Sequence, residues 1–494
     1  PFMMTVCFFT VSHKGSISVN CPAIFMGDYA MNKRNLTGLL LAAAVILISC
    51  LIPGTEQLGA AGVRAIGLVA AFLILLIFEA LPIIITCLIF VALLPLLGIT
   101  DSFNAALSGF SNQVVFFILA SFGIAEAFAK VPLTTRMLAF LLRKFGRNIR
   151  TILLSMMVCA AVLSSIVSNV PTCAIFMALG LKFLEFYDRE EDRRRTGRAF
   201  MIAIPVASMI GGMITPAGSS INLLAISLLE QHAGTTITFV QWMAYGIPLT
   251  LVMLPAAWIL AVLVFRPAEI DRQQVHSFLQ KLEAGIPRKI RGAELKVLVL
   301  TLIMLVLWIA SSWVPSINVM VVAVLGCCAM FLPGIQVLDC RSFFREVSWD
   351  SFFLVGAVLS IGGAMVSSGV SAWITGLLPS ARMPLPVFLG FITLLVFLLL
   401  VLIPVAPSLV TLMATPVISL CAAAGYSPAL GMLILALAAG NCYLLPLDTV
   451  TLLTYGTGYY KMSDMPKCTV WLQLFMILAV SLLFPLILRL SPLG

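Results

Sequence analysis

Three short stretches of this 494-residue chain hold residue types able to do chemistry in an otherwise apolar setting. The first gathers Ser164, Ser168, Asn169 and Thr172 around the turn Ser168-Asn169-Val170-Pro171, and the second reads Thr215-Pro216-Ala217-Gly218-Ser219-Ser220, with Asn222 just beyond. Hydroxyl and amide oxygens beside backbone carbonyls freed by Pro and Gly suit a hard monovalent cation such as sodium. Half-helix N-termini at the same points present unpaired N–H groups and a positive dipole end, which can hold an anion without Lys or Arg. Neither stretch contains a cationic side chain. The third stretch, Leu445-Pro446-Leu447-Asp448-Thr449, places an ionisable group inside an apolar segment. There it costs about 3 kcal/mol and marks a functional position. Purely structural roles compete in each case: a Ser/Asn pair satisfying nearby backbone, a simple kink at Thr-Pro-Ala-Gly, and a carboxylate capping the half-helix after Asp448.

Membrane helices must position these residues. The chain is 61% hydrophobic and 10% charged, against about a quarter charged in soluble domains, which excludes a soluble enzyme. Apolar runs near 36–53, 63–80, 83–98 and 113–131 are each close to span length. The net charge of +9 lies in short blocks between such runs, a pattern of topology signals and not of a nucleic-acid groove. No CxxC pair occurs among the twelve Cys, and His13, His232 and His276 are far apart, so no zinc or disulfide framework is expected. Lys33 and Arg34 place the start of the first span in the cytoplasm, and the basic cluster Arg136, Arg143, Lys144, Arg147 and Arg150 falls on the same side.

Residues 151–181 are too many for one upright helix of about 20 residues and too few for two crossings. Basic residues flank them on both sides, so a re-entrant hairpin with its tip at Ser168-Asn169-Val170-Pro171 is expected. Non-helical backbone at that depth needs protein or a wet cavity around it, which points to a binding site. The segment 199–229 reads as a span broken by Gly211-Gly212 and Thr215–Ser220. After a polar linker at 266–296 the pattern restarts. Segments 108–133 and 345–370 share a polar entry, Phe pairs and small residues, but five basic residues follow the first copy and only Arg382 follows the second. Opposite loop charge implies opposite faces, hence an inverted repeat. The second half brings a hairpin turning at Ala406-Pro407-Ser408 and a second broken span around Asp448. The expected fold is an all-α polytopic membrane protein of about eleven spans with two re-entrant hairpins and two broken helices. Its parts are a tail (1–35), a first half (36–265), a cytoplasmic linker (266–296) and a second half (297–494), with the C-terminus outside.

At these residues the chain resembles the divalent anion/sodium symporter family of dicarboxylate, citrate and sulfate carriers, part of the wider ion transporter superfamily. Ser168-Asn169-Val170 is similar to that family's Ser-Asn-Thr tip, and Thr215–Asn222 to its Thr-Pro-x-Gly-Thr-Pro-Pro-Asn break; Ser348-Trp349-Asp350 and Ala207–Gly212 add to the likeness. The resemblance implies a homodimeric elevator carrier in the cell's inner (plasma) membrane, coupling at least one Na+ to a small dianion such as a C4-dicarboxylate. It implies a sodium site at Ser164, Ser168, Asn169 and Gly218. It also implies substrate contacts at Ser168, Asn169, Val170, Thr172, Ser219, Pro407, Ser408 and Thr449. Two departures stand out: Ala406-Pro407-Ser408 replaces the second Ser-Asn-Thr, and Asp448 occupies the region of the family's second sodium site, where Ala or Gly is usual. Asp448 is therefore a candidate second cation or proton site. The alternative reading is a sodium/proton antiporter, or a proton-coupled anion carrier, using Asp448. An enzyme is not expected, since Asp448 has no His partner evident in the sequence, and the absence of a P-loop argues against direct ATP drive.

Overall fold

The structure, a computed structural model, describes residues 33–493 apart from 55–57, 79, 147, 288, 291, 315, 371–372, 374–382, 403–404 and 491–492. It also describes two short strands in the tail, Phe9–Val11 and Ile17–Val19, paired antiparallel. Arg147 and Arg382 lie outside the described residues. Everything else regular among the described residues is helical, and the chain is a polytopic all-α membrane protein. Nine described helices are long and apolar enough to cross a bilayer, from Lys33–Leu51 to Met465–Leu490; Ile83–Leu96, Asn169–Leu184, Val319–Ala329 and Pro428–Ala439 are shorter apolar helices.

Residues 149–184 form two helices, Ile149–Val167 and Asn169–Leu184, separated by the single non-helical residue Ser168. Asn148 starts the first arm with a capping box, its side chain accepting from the Thr151 N–H at 2.9 Å. Pro171 falls in the first turn of the second arm, where the missing N–H would have had no helical partner. Both arms pack along the helix Glu190–Gly211. That helix stops at Gly212, a 3-10 turn spans Pro216–Gly218, and Ser220–Ala233 resumes behind the Ser219 cap.

The second half follows the same succession. Leu385–Leu402 and Ala406–Ala424 make its paired arms, then Pro428–Ala439 unwinds and Thr449–Tyr455 resumes after the Asp448 cap. The halves pack crosswise. The resumed helix of the first break, Ser220–Ala233, lies on the second half's arm Ala406–Ala424, while Thr449–Tyr455 lies on the first half's arm Asn169–Leu184.

Two basic or polar stretches read from the sequence as a loop and a linker are helical. Leu133–Phe145 carries much of the basic cluster, and Arg136 grips the buried Glu294 with two hydrogen bonds of 2.7 and 2.9 Å. Within the linker, Arg272–Ala284 buries Val275, Phe278 and Leu282 on one face, and Phe278 meets the rings of Phe183 and Phe186 edge-on. The linker thus docks on the loop that follows the first pair of arms.

Candidate functional site

The first tip and the first break converge on one amide. Ser168 takes a positive φ of 106°, a backbone state that β-carbon sterics disfavour by about 1–3 kcal/mol and that tends to survive at functional sites. It turns the chain so that Asn169 points inward, 7% exposed. One end of the Asn169 amide lies 2.7 Å from Ser164 Oγ, 3.0 Å from the Ser208 carbonyl and 3.2 Å from the Gly218 carbonyl. With its nitrogen at that end the amide donates to all three. Three oxygens therefore face a single buried point, and a small cation can take the place of the amide donor once the side chain turns its own oxygen inward.

The backbone around that point is stitched by side chains. Asn222 donates to the carbonyls of Gly212 (2.8 Å) and Thr215 (3.0 Å), Thr215 Oγ1 donates to the Ser165 carbonyl (2.5 Å), and Trp242 Nε1 donates to the Met213 carbonyl (3.0 Å). Each satisfies a carbonyl or anchors a strand of the break that a continuous helix would have paired for itself. The packing tolerates no bulk: a β-carbon on Gly212 would stand 2.2 Å from that same end of the Asn169 amide.

Thr172 sits one turn into Asn169–Leu184, fully buried, with no partner for its hydroxyl among the described residues. Together with the N-terminus of that 16-residue helix, it makes the tip receptive to an anion. Val170 is half-buried in the same first turn, and Ser219 is buried with its side chain accepting from the Ile221 N–H at 3.3 Å.

The second tip and break are built differently. Pro407 and Ser408 open the helix Ala406–Ala424. Ser408 Oγ is buried without a partner among the described residues and lines about 270 Å³ of open space among Val69, Phe72, Val358, Ile361 and Thr411. Asp448 lines a separate small space with Leu400, Ala406, Ala439, Cys442 and Leu445. Its Oδ1 accepts from the Val450 N–H at 2.9 Å, so the capping role anticipated for it is real. Thr449, next along, is exposed. The structure thus brings Ser164, Ser168, Asn169 and Gly218 together, and it does not bring Ser408 and Asp448 into one cavity. Sequence reasoning missed the Ser208 carbonyl, because a main-chain acceptor leaves no trace in residue identity; only the nearby Gly211-Gly212 pair hinted at close approach.

Residues 73–440 match the family model described as citrate transporter. The sodium-dependent dicarboxylate transporter SdcS of Staphylococcus aureus strain MRSA252 is 25% identical over 478 residues, covering 92% of each chain, and its counterpart in strain USA300 gives the same identity and coverage. Two solved structures share the fold. The YdaH transporter of Alcanivorax borkumensis aligns with a TM-score of 0.52 at 14% identity, over 93% of this chain and 99% of its own. MtrF of Neisseria gonorrhoeae, from a class of antimetabolite efflux pumps, aligns with a TM-score of 0.53 at 12% identity, over 94% and 96%.

Proposed function

The chain belongs to the citrate transporter family, among the divalent anion/sodium symporters, and on that premise we propose that it carries small divalent organic anions such as C4-dicarboxylates by coupling to sodium. It is a multi-pass membrane transporter and not an enzyme. The observation that carries the proposal is the convergence of Ser164 Oγ, the Ser208 carbonyl and the Gly218 carbonyl on the Asn169 amide. Ser164, Ser168, Asn169 and Gly218, with Ser208 added, hold the coupling ion. The N-terminus of Asn169–Leu184 and the Thr172 hydroxyl receive one substrate carboxylate, with Val170 and Ser219 beside them. The sodium-dependent dicarboxylate carrier that aligns over nearly the full length supports sodium as the ion and a dicarboxylate as the substrate.

The second contact set of Pro407, Ser408 and Thr449 offers fewer polar groups, so the far end of the substrate is held more loosely. The repeated succession of arms and break, with crosswise packing, supports an inverted repeat within about eleven spans. An elevator motion and a homodimer follow from the family resemblance. So does a plasma-membrane location, and the placement of basic residues puts the 266–296 linker and the Lys33 end in the cytoplasm and the C-terminus outside. The test is uptake of labelled succinate into proteoliposomes with and without an inward sodium gradient. Wild type accumulates succinate only with the gradient. Asn169→Ala, which removes a hub of three contacts worth about 1 kcal/mol each, lowers uptake about a hundredfold. Unchanged transport in that variant would show that the site lies elsewhere.

A further inference from the structure

Asp448 stands where the first half has only neutral groups, and its surroundings decide what it can bind. The space it lines is walled by apolar side chains such as Leu400, Ala406, Ala439, Leu445 and Leu447, with Cys442, and among the described residues no side-chain oxygen other than its own faces it. Among the described residues, no Lys, Arg or His forms an ion pair with it. Oδ1 is held by the Val450 N–H, while Oδ2 receives no donor from the described residues.

Of the packed elements, Leu385–Leu402 and Pro428–Ala439 carry no titratable group, and Ala406–Ala424 carries only the buried Cys421. Asn169–Leu184 contributes Cys173, whose Sγ donates to the Val450 carbonyl at 3.4 Å, and Lys182 a dozen residues from the tip. The unwound segment adds Cys442 and the buried Tyr443, and Thr449–Tyr455 adds Tyr455, whose ring packs on Tyr460. Met465–Leu490 adds Lys467, tied to Asp464 at 2.7 Å, the buried Cys468, and Arg489 at its far end. Glu190–Gly211 also packs on Thr449–Tyr455 and carries Glu190, Glu191, Asp192, Arg193, Arg194, Arg195 and Arg198 near its start, where Arg193 and Arg194 pair with Glu190 and Arg198 with Asp464. Among the described residues, no cation pairs with the Asp448 carboxylate.

A lone ionised carboxylate in such walls is costly, and it is relieved by a bound cation or by a proton. Sodium asks for a shell of oxygens; the first site turns a hydroxyl and two carbonyls onto one point, whereas here Asp448 brings the one side-chain oxygen pair among the described lining residues. We infer that Asp448 is a proton-binding site, so that the second half of the carrier exchanges a proton where the first half holds sodium. The inference rests on the transporter reading above. The step is simple: a hydronium entering the space yields its proton to Oδ2, an O–H bond forms and water leaves, and the reverse occurs when the space meets the opposite face.

Two measurements on the full-length protein test it. Infrared spectra of the lipid-reconstituted carrier should show the C=O band of a protonated carboxyl that fades as pH rises. Asp448→Asn should lack that band, and Asp448→Glu should restore it at a shifted frequency. In proteoliposomes holding a pH dye, succinate uptake should acidify the lumen in wild type and in Asp448→Glu but not in Asp448→Asn. A wild-type spectrum without such a band, or succinate uptake without acidification, overturns the proposal. So does a sodium requirement for discharging the band, which would make this a second sodium site. If wild type moves no succinate, the substrate reading fails while the infrared band still judges Asp448 on its own.

Discussion

The two breaks do the same geometric job with opposite chemistry. In the first, Asn222 spans the gap and pairs the carbonyls of Gly212 and Thr215, so the unwound backbone is held by neutral groups and keeps its remaining oxygens for a ligand. In the second, Thr451 stands three residues after the cap, as Asn222 does in the first, but its hydroxyl donates only to the carbonyl of Asp448, the residue that caps the resumed helix. The capped N–H group stabilises the turn, but it leaves a charge whose neutralisation must come from outside the protein. A neutral break can select an ion by the number of oxygens it gathers. A break built on one acid can respond only to whatever neutralises it.

Transplanting features between the breaks should separate these roles. The largest effect is expected for Asn222→Leu, which takes the stitch out of the first break. Two buried carbonyls lose their donor at about 1–3 kcal/mol each. The thermal midpoint of the purified carrier should fall by several degrees, and sodium should no longer raise it. If sodium still protects the variant fully, the stitch is not part of the ion site. Gly212→Ala comes next. Its β-carbon would meet the end of the Asn169 amide at 2.2 Å, and overpacking of this kind costs about 1–3 kcal/mol. The apparent sodium affinity for uptake should drop about tenfold, with the proton response of Asp448 unchanged. An equal loss in both responses would mean that the two breaks are not chemically separate. Ser408→Ala should do least. Its buried hydroxyl has no partner among the described residues, so removing it should leave the thermal midpoint unchanged or raise it slightly, within about 1 kcal/mol, while succinate KM rises modestly. A collapse of uptake in this variant would restore Ser408 to the centre of the substrate site.

Much of this arrangement is legible in the residues themselves. Ser168 is where a polar turn between two apolar runs places the tip, because the stretch is too long for one upright helix and must break where its residues tolerate it. Gly211-Gly212 and Pro216 mark the first break for a related reason: no continuous helix accommodates them comfortably. The Ser208 carbonyl is not legible in that way, since its role depends on which turn of Glu190–Gly211 faces Asn169. The separation of Ser408 from Asp448 depends likewise on how two distant helices rotate about their axes. The linker helix is legible in principle through Val275, Phe278 and Leu282 at helical spacing, but the charges around them hide so short a stripe.

The crosswise packing has a consequence for how such a chain can change over time. Each resumed half-helix is held by an arm from the other half, Thr449–Tyr455 on Asn169–Leu184 and Ser220–Ala233 on Ala406–Ala424. Neither half owns a complete binding wall, and a fragment severed within the linker would leave a groove on each side that only the missing piece fits. A chain folded this way is free to alter the chemistry of one break only while the shape of the opposite arm is preserved.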